Sequence, residues 1–374
     1  MKTELPQAID TLPEAAPTLQ PLLQLTAKEL SRWLKDRGFQ PWYSKAIRRW
    51  VLFKRATTFE QMSDLPKQLR TQLTKHFIPL KSTPAKSLHA HDGTRKLLLK
   101  MWDGEDIECV MIPDYDRRTA CMSTQVGCGM GCVFCASGLN GVMRNLEPGE
   151  ILEQLVLLRN LLPAEERLSH IVVMGMGEPL ANLDNLLTAL EDATAKDGLG
   201  IGARHVTIST VGLPVKIRRL AESGKQYSLA VSLHAPNEEL RNKIVPTNDK
   251  TGLQNIMQAA DDYFKRTGRQ VTFEYVVLRD INDRPLEADQ LSTLLKGRGA
   301  HVNLIPFNEV DGLPYRRPTD ERLNRFVEIL RENGINVHVR KRKGSEISAA
   351  CGQLRRQAKA EAGTPLPAGE KGAC

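Results

Sequence analysis

Three cysteines stand close together in the segment Gly127-Cys-Gly-Met-Gly-Cys-Val-Phe-Cys135. Cys128, Cys132 and Cys135 have the spacing C-x₃-C-x₂-C, and three thiolates so near one another cannot all pair as disulfides. They leave a tetrahedral metal or a cubane iron–sulfur cluster one ligand short, and an open coordination position is where chemistry takes place. The residues alone leave open a [4Fe–4S] cluster with one free iron, a zinc ion completed by a distant His, and three buried free cysteines.

Further segments along the chain carry residue types suited to ligand binding. In chain order they are Ala120-Cys-Met-Ser-Thr-Gln-Val-Gly-Cys128, Met174-Gly-Met-Gly-Glu-Pro-Leu180, Ser232-Leu-His234, Asn303-Leu-Ile-Pro-Phe-Asn308 and Ala349-Ala-Cys-Gly-Gln353. Glycines let a ligand approach the backbone closely, and a carboxylate such as that of Glu178 can pair with an ammonium group. Serine, histidine and asparagine side chains suit hydroxyl groups, carboxylates and the edges of a base.

The cysteine spacing resembles that of the radical S-adenosylmethionine (SAM) superfamily. With the other segments, it resembles the RlmN/Cfr family of RNA adenine methyltransferases over roughly residues 25 to 356. The resemblance implies a [4Fe–4S] cluster on Cys128, Cys132 and Cys135, with SAM bound to the fourth iron. It also implies that SAM is contacted by the residues Gly177, Glu178, Ser209, Ser232, Leu233, His234 and Asn308.

Two further cysteines, Cys121 and Cys351, lie outside the triad and far apart in the chain. Adenine C2 carries an unactivated C–H bond, so a SAM methyl cation cannot simply be transferred to it. The resemblance implies that one SAM methylates Cys351, and that a second SAM yields a 5′-deoxyadenosyl radical that takes a hydrogen from this methyl group. The methylene radical then adds to the base, and a Cys121–Cys351 disulfide frees the methylated product.

Glu108 precedes Cys121 in Asp106-Ile-Glu-Cys-Val-Met-Ile-Pro113 and matches the position of the family's proton acceptor. A carboxylate that acts as a general base needs reach and a raised pKa, and neither can be seen in a sequence. Two alternatives stay open: Glu108 holds the adenine edge, or Cys121 is itself the base.

The resemblance implies two RNA substrates, 23S rRNA at the peptidyl-transferase adenosine and tRNA at the adenosine 3′ of the anticodon. It also implies an electron donor such as flavodoxin or ferredoxin. Gly177-Glu-Pro-Leu180 keeps the proline usual in the C2-methylating branch, which favours C2 of adenine. The alternatives are C8 methylation of 23S rRNA, which confers antibiotic resistance, and a non-catalytic RNA-binding module stabilised by zinc. We expect a monomer without membrane association.

The charge of the chain is concentrated near its start. The 374 residues have a net charge of +8 and a pI of about 9.1, and residues 26–76 contain twelve Lys or Arg against four acids. Aromatic residues such as Trp42 and Phe53 interleave with these charges, which suits a phosphate backbone with unstacked bases. A solvated helical face over an aromatic core is the alternative. No apolar run could span a membrane, and the clustered cysteines predict a reducing, cytoplasmic compartment.

Apolar spacing predicts helices over 26–37 and 43–54, with shorter ones near 58–64 and 66–76. An Asp103-Gly104 turn between apolar runs predicts a β-hairpin over 95–112. Alternating strands and amphipathic helices follow, with strands near 119–126, 169–175, 204–210, 226–233, 270–278, 300–306 and 335–340. Six strand–helix units predict an α/β fold with a parallel sheet, and the resemblance implies the radical SAM partial (βα)₆ barrel, with its chemistry at the carboxyl ends of the strands.

We therefore expect a small, all-helical, basic N-terminal domain and a β-hairpin linker before the barrel. The predicted parts are a disordered leader (1–25), a helical RNA-binding accessory domain (26–85), the linker (86–118), the barrel (119–343), a catalytic cysteine loop (344–356) and a disordered tail (357–374). The basic run Arg340-Lys-Arg-Lys343 precedes the Cys351 loop, and we expect it to contact RNA phosphates.

Overall fold

A mixed sheet of ten strands forms the centre of the protein in the computed structural model, which describes residues 19–354. Two small sheets of two strands each accompany it. In chain order, the strands are β1 (Gln20–Pro21), β2 (Phe77–Ile78), β3 (Thr83–His89), β4 (Arg95–Lys100), β5 (Asp106–Asp114), β6 (Arg117–Cys121), β7 (Gln125–Gly127), β8 (Val142–Asn145), β9 (His170–Val173), β10 (Val206–Thr210), β11 (Ser228–Ser232), β12 (Thr272–Val277), β13 (His301–Pro306) and β14 (Asn336–Val339).

Helices precede the sheet and connect its parallel strands. Within the described residues they are α1 (Ala27–Asp36), α2 (Tyr43–Leu52), α3 (Lys67–His76), α4 (Pro148–Asn160), α5 (Leu183–Thr194), α6 (Pro214–Glu222), α7 (Glu238–Ile244), α8 (Asn248–Thr251), α9 (Leu253–Thr267), α10 (Pro285–Leu295) and α11 (Asp320–Glu332). In residues 19–354, no helix is long and apolar enough to cross a membrane.

Seven neighbouring strands of the large sheet are parallel, in the order β6, β9, β10, β11, β12, β13 and β14. At least one helix separates each of these parallel strands from the next, so six strand–helix units precede the closing strand β14. The strands are rich in buried Val, Ile and Leu because both faces of the sheet are covered. Residues from the ends of these strands line one shared cavity, so the sheet curves into a partial barrel. The α/β fold predicted from the sequence is confirmed.

An antiparallel extension continues the barrel sheet through β5, β4 and β3. The predicted hairpin is present as β4 and β5, and Gly104 adopts φ +77° in its turn. The extension is nevertheless no separate linker, because residues 110–114 of β5 pair with the whole of the barrel strand β6. It also begins earlier than predicted, since the unpredicted strand β3 starts at Thr83.

The predicted strand at 119–126 is divided in two. β6 ends at Cys121, and β7 leaves the barrel sheet to form an antiparallel ribbon with β8. Polar residues cause the division: the Ser123 N–H donates to the Gln154 side chain at 2.8 Å, and the Ser123 hydroxyl donates to the Glu108 carbonyl at 2.7 Å. The chain is thereby directed out of the barrel just before the clustered cysteines.

The N-terminal helices enclose a small apolar core. A capping box between Thr26 and Glu29 begins α1, and Leu30 and Leu34 are fully buried on its inner face. The helix predicted near 58–64 is wrong, because this segment forms turns in which the Gln61 side chain accepts the backbone N–H groups at 57 and 58.

The predicted disordered leader is also wrong for its last residues. Leu22 and Leu23 are 0% and 3% exposed, and Gln24 accepts the Gly149 N–H at 3.2 Å. The rest of the leader, residues 1–18, and the predicted tail at 357–374 lie outside the described residues, as do the last two residues of the predicted cysteine loop.

Two arginines form hydrogen bonds between the helical region, which contains α1, α2 and α3, and the barrel. The Arg159 guanidinium, at the end of α4, donates to the carbonyls of Val51 and Leu52. Arg55 donates in the other direction, to the carbonyls of Leu162, Pro163 and Glu166 at 2.6, 2.9 and 3.0 Å. Because a guanidinium fixes several acceptors at once, these contacts orient the helical region on α4.

Candidate active site

The three clustered cysteines lie in the loop between β7 and β8. The Cys128 N–H donates to the Gly141 carbonyl at 3.0 Å and closes the base of this loop. Gly127 is required there, because it has φ +79° and a Cβ atom on it would overlap the Gly141 oxygen. All three thiols are free and half-buried.

Burial makes it costly to ionise these thiols. It raises the pKa of Cys128 to about 12, and it also raises the pKa of Cys132 and Cys135 above the ordinary thiol value. A Cys132 thiolate would in addition be repelled by Cys128 and Cys135. A bound cationic iron centre removes this penalty, because a thiol that coordinates a metal is deprotonated.

The three thiols share a cavity of about 140 Å³ with the carboxyl ends of the barrel strands. Within residues 19–354, no three His, Cys, Asp or Glu side chains are grouped closely enough to hold one metal ion. A cubane cluster does not require its cysteines to converge on one point, because each cysteine binds a separate iron. The set of three thiolate donors around one cavity fits a [4Fe–4S] cluster that has one iron open.

Most of the residues expected to contact SAM line the same cavity. They are Gly177, Glu178, Ser209, Ser232, His234 and Asn308. Leu233 is the exception, because its side chain is fully buried in the main apolar core. Its N–H donates to the Glu274 carbonyl at 2.9 Å, so it joins β11 to β12 at the edge of the site.

The glycine-rich turn after β9 packs tightly against the segment that precedes the cysteines. A Cβ atom on Gly175 would stand 2.7 Å from the Met122 carbonyl, and one on Gly177 would stand 2.7 Å from the Gln125 side chain. Gly177 also has φ +104°, which side-chain-bearing residues rarely adopt. The turn therefore keeps its course only with glycine at these two positions.

Glu178 is buried and ties two strand ends together. Its carboxylate accepts the N–H groups of Leu180 at 3.0 Å and Val211 at 2.9 Å. Burial raises the pKa of this carboxyl, although the hydrogen bonds oppose the rise. An ammonium group in the cavity would stabilise the ionised form.

His234 is held neutral. It has φ +61° and is 5% exposed, with the Phe134 ring packed edge-on at 4.9 Å. Burial and the nearby Arg241 guanidinium lower its pKa to about 3. Its Nδ1 accepts the Val276 N–H at 3.1 Å, so the proton of the neutral ring is on Nε2. The imidazole can therefore offer one donor to the site and no charge.

Cys121 and Cys351 meet at a second, larger cavity of about 590 Å³, which both residues line. Cys351 also lines the smaller cavity, so its side chain stands between the two. Burial, and then the proximity of Cys351, raise the pKa of Cys121 to about 12. Both are free thiols.

Hydrogen bonds hold the Cys351 loop against the cysteine cluster loop. The Ala136 N–H donates to the Gly352 carbonyl at 2.8 Å, and the Ser137 hydroxyl donates to the Leu354 carbonyl at 2.7 Å. Asn308 donates from its side chain to the Cys351 carbonyl at 3.2 Å. Asn308 thus contributes to the cavity and also positions the second thiol.

The sequence motifs did not indicate the roles of two charged residues between the cavities. Arg340 and Glu274 line both cavities, and the nearby Cys351 and Glu274 raise the pKa of Arg340, against the opposing effect of burial. Glu274 accepts the Asn303 side-chain amide at 2.8 Å. A glutamate inside the otherwise apolar strand Thr272–Val277 was the available signal. The sequence groups Arg340 with its basic neighbours as a contact to RNA phosphates, whereas its side chain lies between the two cavities, apart from the exposed Lys341 and Arg342.

Glu108 does not line either cavity. Its carboxylate is 1% exposed and forms an ion pair with the Lys96 ammonium at 2.8 Å. The structure therefore does not bring Glu108 to the two thiols, although it lies two residues before Val110, the β5 partner of Cys121.

Positive charge surrounds the mouth of the larger cavity. The contributing side chains are Arg117, Arg317, Lys341, Arg342 and Lys343, of which Lys343 pairs with Asp114 of the same lining at 3.7 Å. Tyr115, at the same mouth, is 90% exposed. A rim of this kind suits a polyanion whose base enters the cavity.

A partial barrel of parallel strands, whose carboxyl ends carry an open three-cysteine loop and a glycine-rich turn, defines a radical SAM enzyme. The family model of the radical SAM superfamily matches residues 122–290, and that of the "Ribosomal RNA large subunit methyltransferase N-terminal domain" matches residues 20–78. The chain belongs to the RlmN family of radical SAM RNA methyltransferases. Radical SAM enzymes use a [4Fe–4S] cluster and SAM.

The similarity extends over nearly the whole chain. A "Probable dual-specificity RNA methyltransferase RlmN" of Rhodopirellula baltica is 56% identical over 335 residues, which is 90% of either chain. A protein of the same name from Symbiobacterium thermophilum is 45% identical over 91% of this chain and 92% of its own. The crystal structure of a radical SAM methyltransferase from Sphaerobacter thermophilus is 41% identical and matches with a TM-score of 0.88, covering 90% of this chain and 100% of that one.

The geometry of the glycine-rich turn gives a first prediction. We expect Gly177→Ala to weaken SAM binding at least about tenfold, because a strained backbone conformation costs on the order of 1–3 kcal/mol and the new methyl group overlaps Gln125. Equilibrium binding of SAM to the anaerobically reconstituted protein measures the effect. Gly299→Ala is the matched control, because no atom lies within 4 Å of its added Cβ. Equal SAM affinity in the two variants would contradict the prediction.

Proposed function

We propose that this protein methylates C2 of adenosine in 23S rRNA, at the peptidyl-transferase centre, and in tRNA, at the adenosine 3′ of the anticodon. The observation that carries the proposal is the meeting of Cys121 and Cys351 at the boundary of two cavities. One cavity carries the cluster cysteines, and the other is large and rimmed by positive charge. The printed names of the relatives, dual-specificity RNA methyltransferases, support two RNA substrates.

In this proposal Cys128, Cys132 and Cys135 hold the cluster, and Gly177, Glu178, Ser209, Ser232, His234 and Asn308 surround SAM. When bound, the cluster and SAM supply the methyl group and the one-electron chemistry. The buried Glu178 carboxylate would face the SAM ammonium, and the Nε2–H of His234 would donate to an acceptor without adding charge. Leu233 would act through the backbone alone, because its side chain is in the core.

Two thiols of the chain, those of Cys351 and Cys121, would carry the methyl group and release the product. Cys351 carries the methyl group on its Sγ and presents it from the boundary of the two cavities. After the methylene carbon has bonded to the base, the C2 proton would leave, and the unpaired electron would pass to the one-electron centre that the cluster supplies. Cys121 Sγ would then bond to Cys351 Sγ as the bond between Cys351 Sγ and the methylene carbon breaks. The proton of the Cys121 thiol passes to the freed carbon, which completes the methyl group, and the product leaves. Arg340 lies beside both thiols, and its charge favours whichever of them is ionised.

The C2 proton has two proposed acceptors. Glu108 could take it only if its ion pair with Lys96 opens towards the larger cavity, because the carboxylate is 1% exposed. Cys121 already lines that cavity. We propose Cys121 as the nearer acceptor and keep Glu108 as a group that acts after such an opening, or that holds the adenine edge.

The adenosine would enter the larger cavity alone. A base inside folded RNA has to leave its stack before an enzyme can reach it, and a cavity of about 590 Å³ has room for one nucleoside. The positive rim would hold the flanking phosphates. The substrates imply a cytoplasmic location, a monomer would suffice for the site, and a protein such as flavodoxin or ferredoxin would deliver electrons.

The helical region offers a second RNA contact. Of its aromatic residues, Trp33, Phe39, Tyr43 and Trp50 pack against the core. Trp42 and Phe53 do not, since they are 59% and 61% exposed at the two ends of α2. Exposed aromatic rings among basic side chains suit stacking on unpaired bases.

The position of the methyl group decides between the proposed activity and its alternative. We expect 2-methyladenosine, and no 8-methyladenosine, when anaerobic protein with SAM and a one-electron reductant acts on 23S rRNA fragments and on tRNA. Mass spectrometry of the digested nucleosides against both standards measures it. A product that co-elutes with 8-methyladenosine would overturn the choice of C2 in favour of C8 methylation. Methylated nucleoside from rRNA alone would exclude tRNA as a substrate.

Replacing Cys351 or Cys121 should block the reaction at two different steps. Cys351→Ala removes the atom that carries the methyl group, so we expect neither methylated RNA nor a covalent adduct. Cys121→Ala leaves that atom but removes the partner for the disulfide, so we expect protein trapped covalently on RNA. Denaturing gels and intact-protein mass spectrometry distinguish the two results. The buried Cys109→Ala is the matched control, with normal turnover. Normal turnover by Cys121→Ala would refute the assigned roles.

Replacing the exposed aromatic residues of α2 should weaken RNA binding and leave SAM cleavage unchanged. We expect Trp42→Ala and Phe53→Ala each to raise the KM for RNA about tenfold, because stacking on an aromatic ring contributes about 1–3 kcal/mol per base. SAM cleavage without RNA should be unchanged. Phe264→Ala is the matched control, an aromatic residue that is 45% exposed on α9. Unchanged KM in both α2 variants would show that this surface does not bind RNA.

A further inference from the structure

A buried lysine joins two parts of the protein that the proposed chemistry requires. The Lys96 ammonium, 1% exposed, lies 2.8 Å from the Glu108 carboxylate. The same ammonium donates to the carbonyl of Ser348 at 3.0 Å. Ser348 is three residues before Cys351. One side chain of β4 therefore contacts both the strand that bears Glu108 and the loop that bears the second thiol.

The register of the sheet puts Lys96 on the same face as Cys121. Lys96 is opposite Val110 on β5, and Val110 is opposite Cys121 on β6. Residues directly opposite one another in neighbouring strands point to the same side of a sheet. Glu108 precedes Val110 by two residues and shares that side. The ion pair thus belongs to the face that carries the first thiol.

The backbone at Ser348 needs to be held. It has φ +48°, a conformation that is costly for a residue with a side chain. On the far side of Cys351 the loop is bonded to the cluster loop and to Asn308. On the near side, Lys96 binds the carbonyl of the strained residue itself, and Asp92 binds the Gly344 N–H at 2.8 Å.

Stability alone does not explain a charged pair in this place. Burying two charges costs several kcal/mol per ion before their attraction offsets it, and apolar side chains of similar volume often stabilise a fold as well or better. The pair does provide a directed contact, because an ammonium group has three donors and can bind a carboxylate and a carbonyl together. A leucine or methionine could not fix the Ser348 carbonyl.

We propose that Lys96 is a positioning residue for methyl transfer: through Glu108 and Ser348 it fixes the Cys351 loop against the sheet face that carries Cys121. The inference rests on the proposed function and adds to it the residue that sets the separation of the two thiols. Lys96 touches neither cavity, so its effect reaches the reaction through the loop.

The test uses Lys96→Met in the full-length, cluster-loaded protein. We expect the kcat for RNA methylation to fall about 100-fold, the size of effect that a displacement near 1 Å can have on a reacting group. The KM for RNA and SAM cleavage without RNA should stay unchanged. Hydrogen exchange of amides 344–354 should become faster, while exchange in β12 stays as in the wild type. Lys100→Met, at the exposed end of the same strand, is the matched control.

Every outcome decides a point. Either wild-type kcat or wild-type loop exchange in Lys96→Met would overturn the inference. Faster exchange in β12 and the loop alike would also overturn it, because that result indicates general destabilisation. If Lys96→Met does not fold, Lys96→Met with Glu108→Gln leaves no unpaired charge, and its loop exchange alone decides the point. A wild-type protein that methylates no RNA would refute the proposed function, while the exchange comparison would still test the contact of Lys96 with the loop.

Discussion

The site depends on the hydrogen bonds between the loop of the clustered cysteines and the loop of Cys351. Ser137 and Leu354, whose side chain and carbonyl meet, are 217 residues apart in the chain. Ala136, next to Cys135, binds the residue after Cys351. Through these contacts residues 351–354 close over the start of the barrel, and Cys351 lies at the boundary of the smaller and the larger cavity.

The barrel and its antiparallel extension enclose several charged side chains. Glu274, Arg340, Glu108 and Lys96 are all largely shielded from water, and each has a partner of opposite charge or an amide. Such groups reduce stability unless they are paired, and they persist where a reaction needs them. The buried apolar residues of the strands and helices supply the stability that these groups cost.

Sequence reasoning succeeded where a residue type has one dominant use. Cysteines at C-x₃-C-x₂-C, a glycine-rich strand end and Asp103-Gly104 predicted the cluster loop, the cavity turn and the hairpin. It failed where the outcome depends on tertiary contacts. Ser123 and Gln154 break the strand at 119–126, which no local pattern reveals. Arg340 has basic neighbours in sequence and acidic or thiol neighbours in space. Lys96 and Glu108 become partners only through the register of β4 and β5.

The arginine contacts between the helical region and α4 have a consequence for how RNA is selected. Arg55 and Arg159 each bind carbonyls across the joint, so the helical region cannot swing freely relative to the barrel. The distance from the exposed aromatic residues of α2 to the larger cavity is then fixed. Under the proposed function, an RNA of any sequence would be accepted when its unstacked adenosine lies at that distance from a surface that the helices bind.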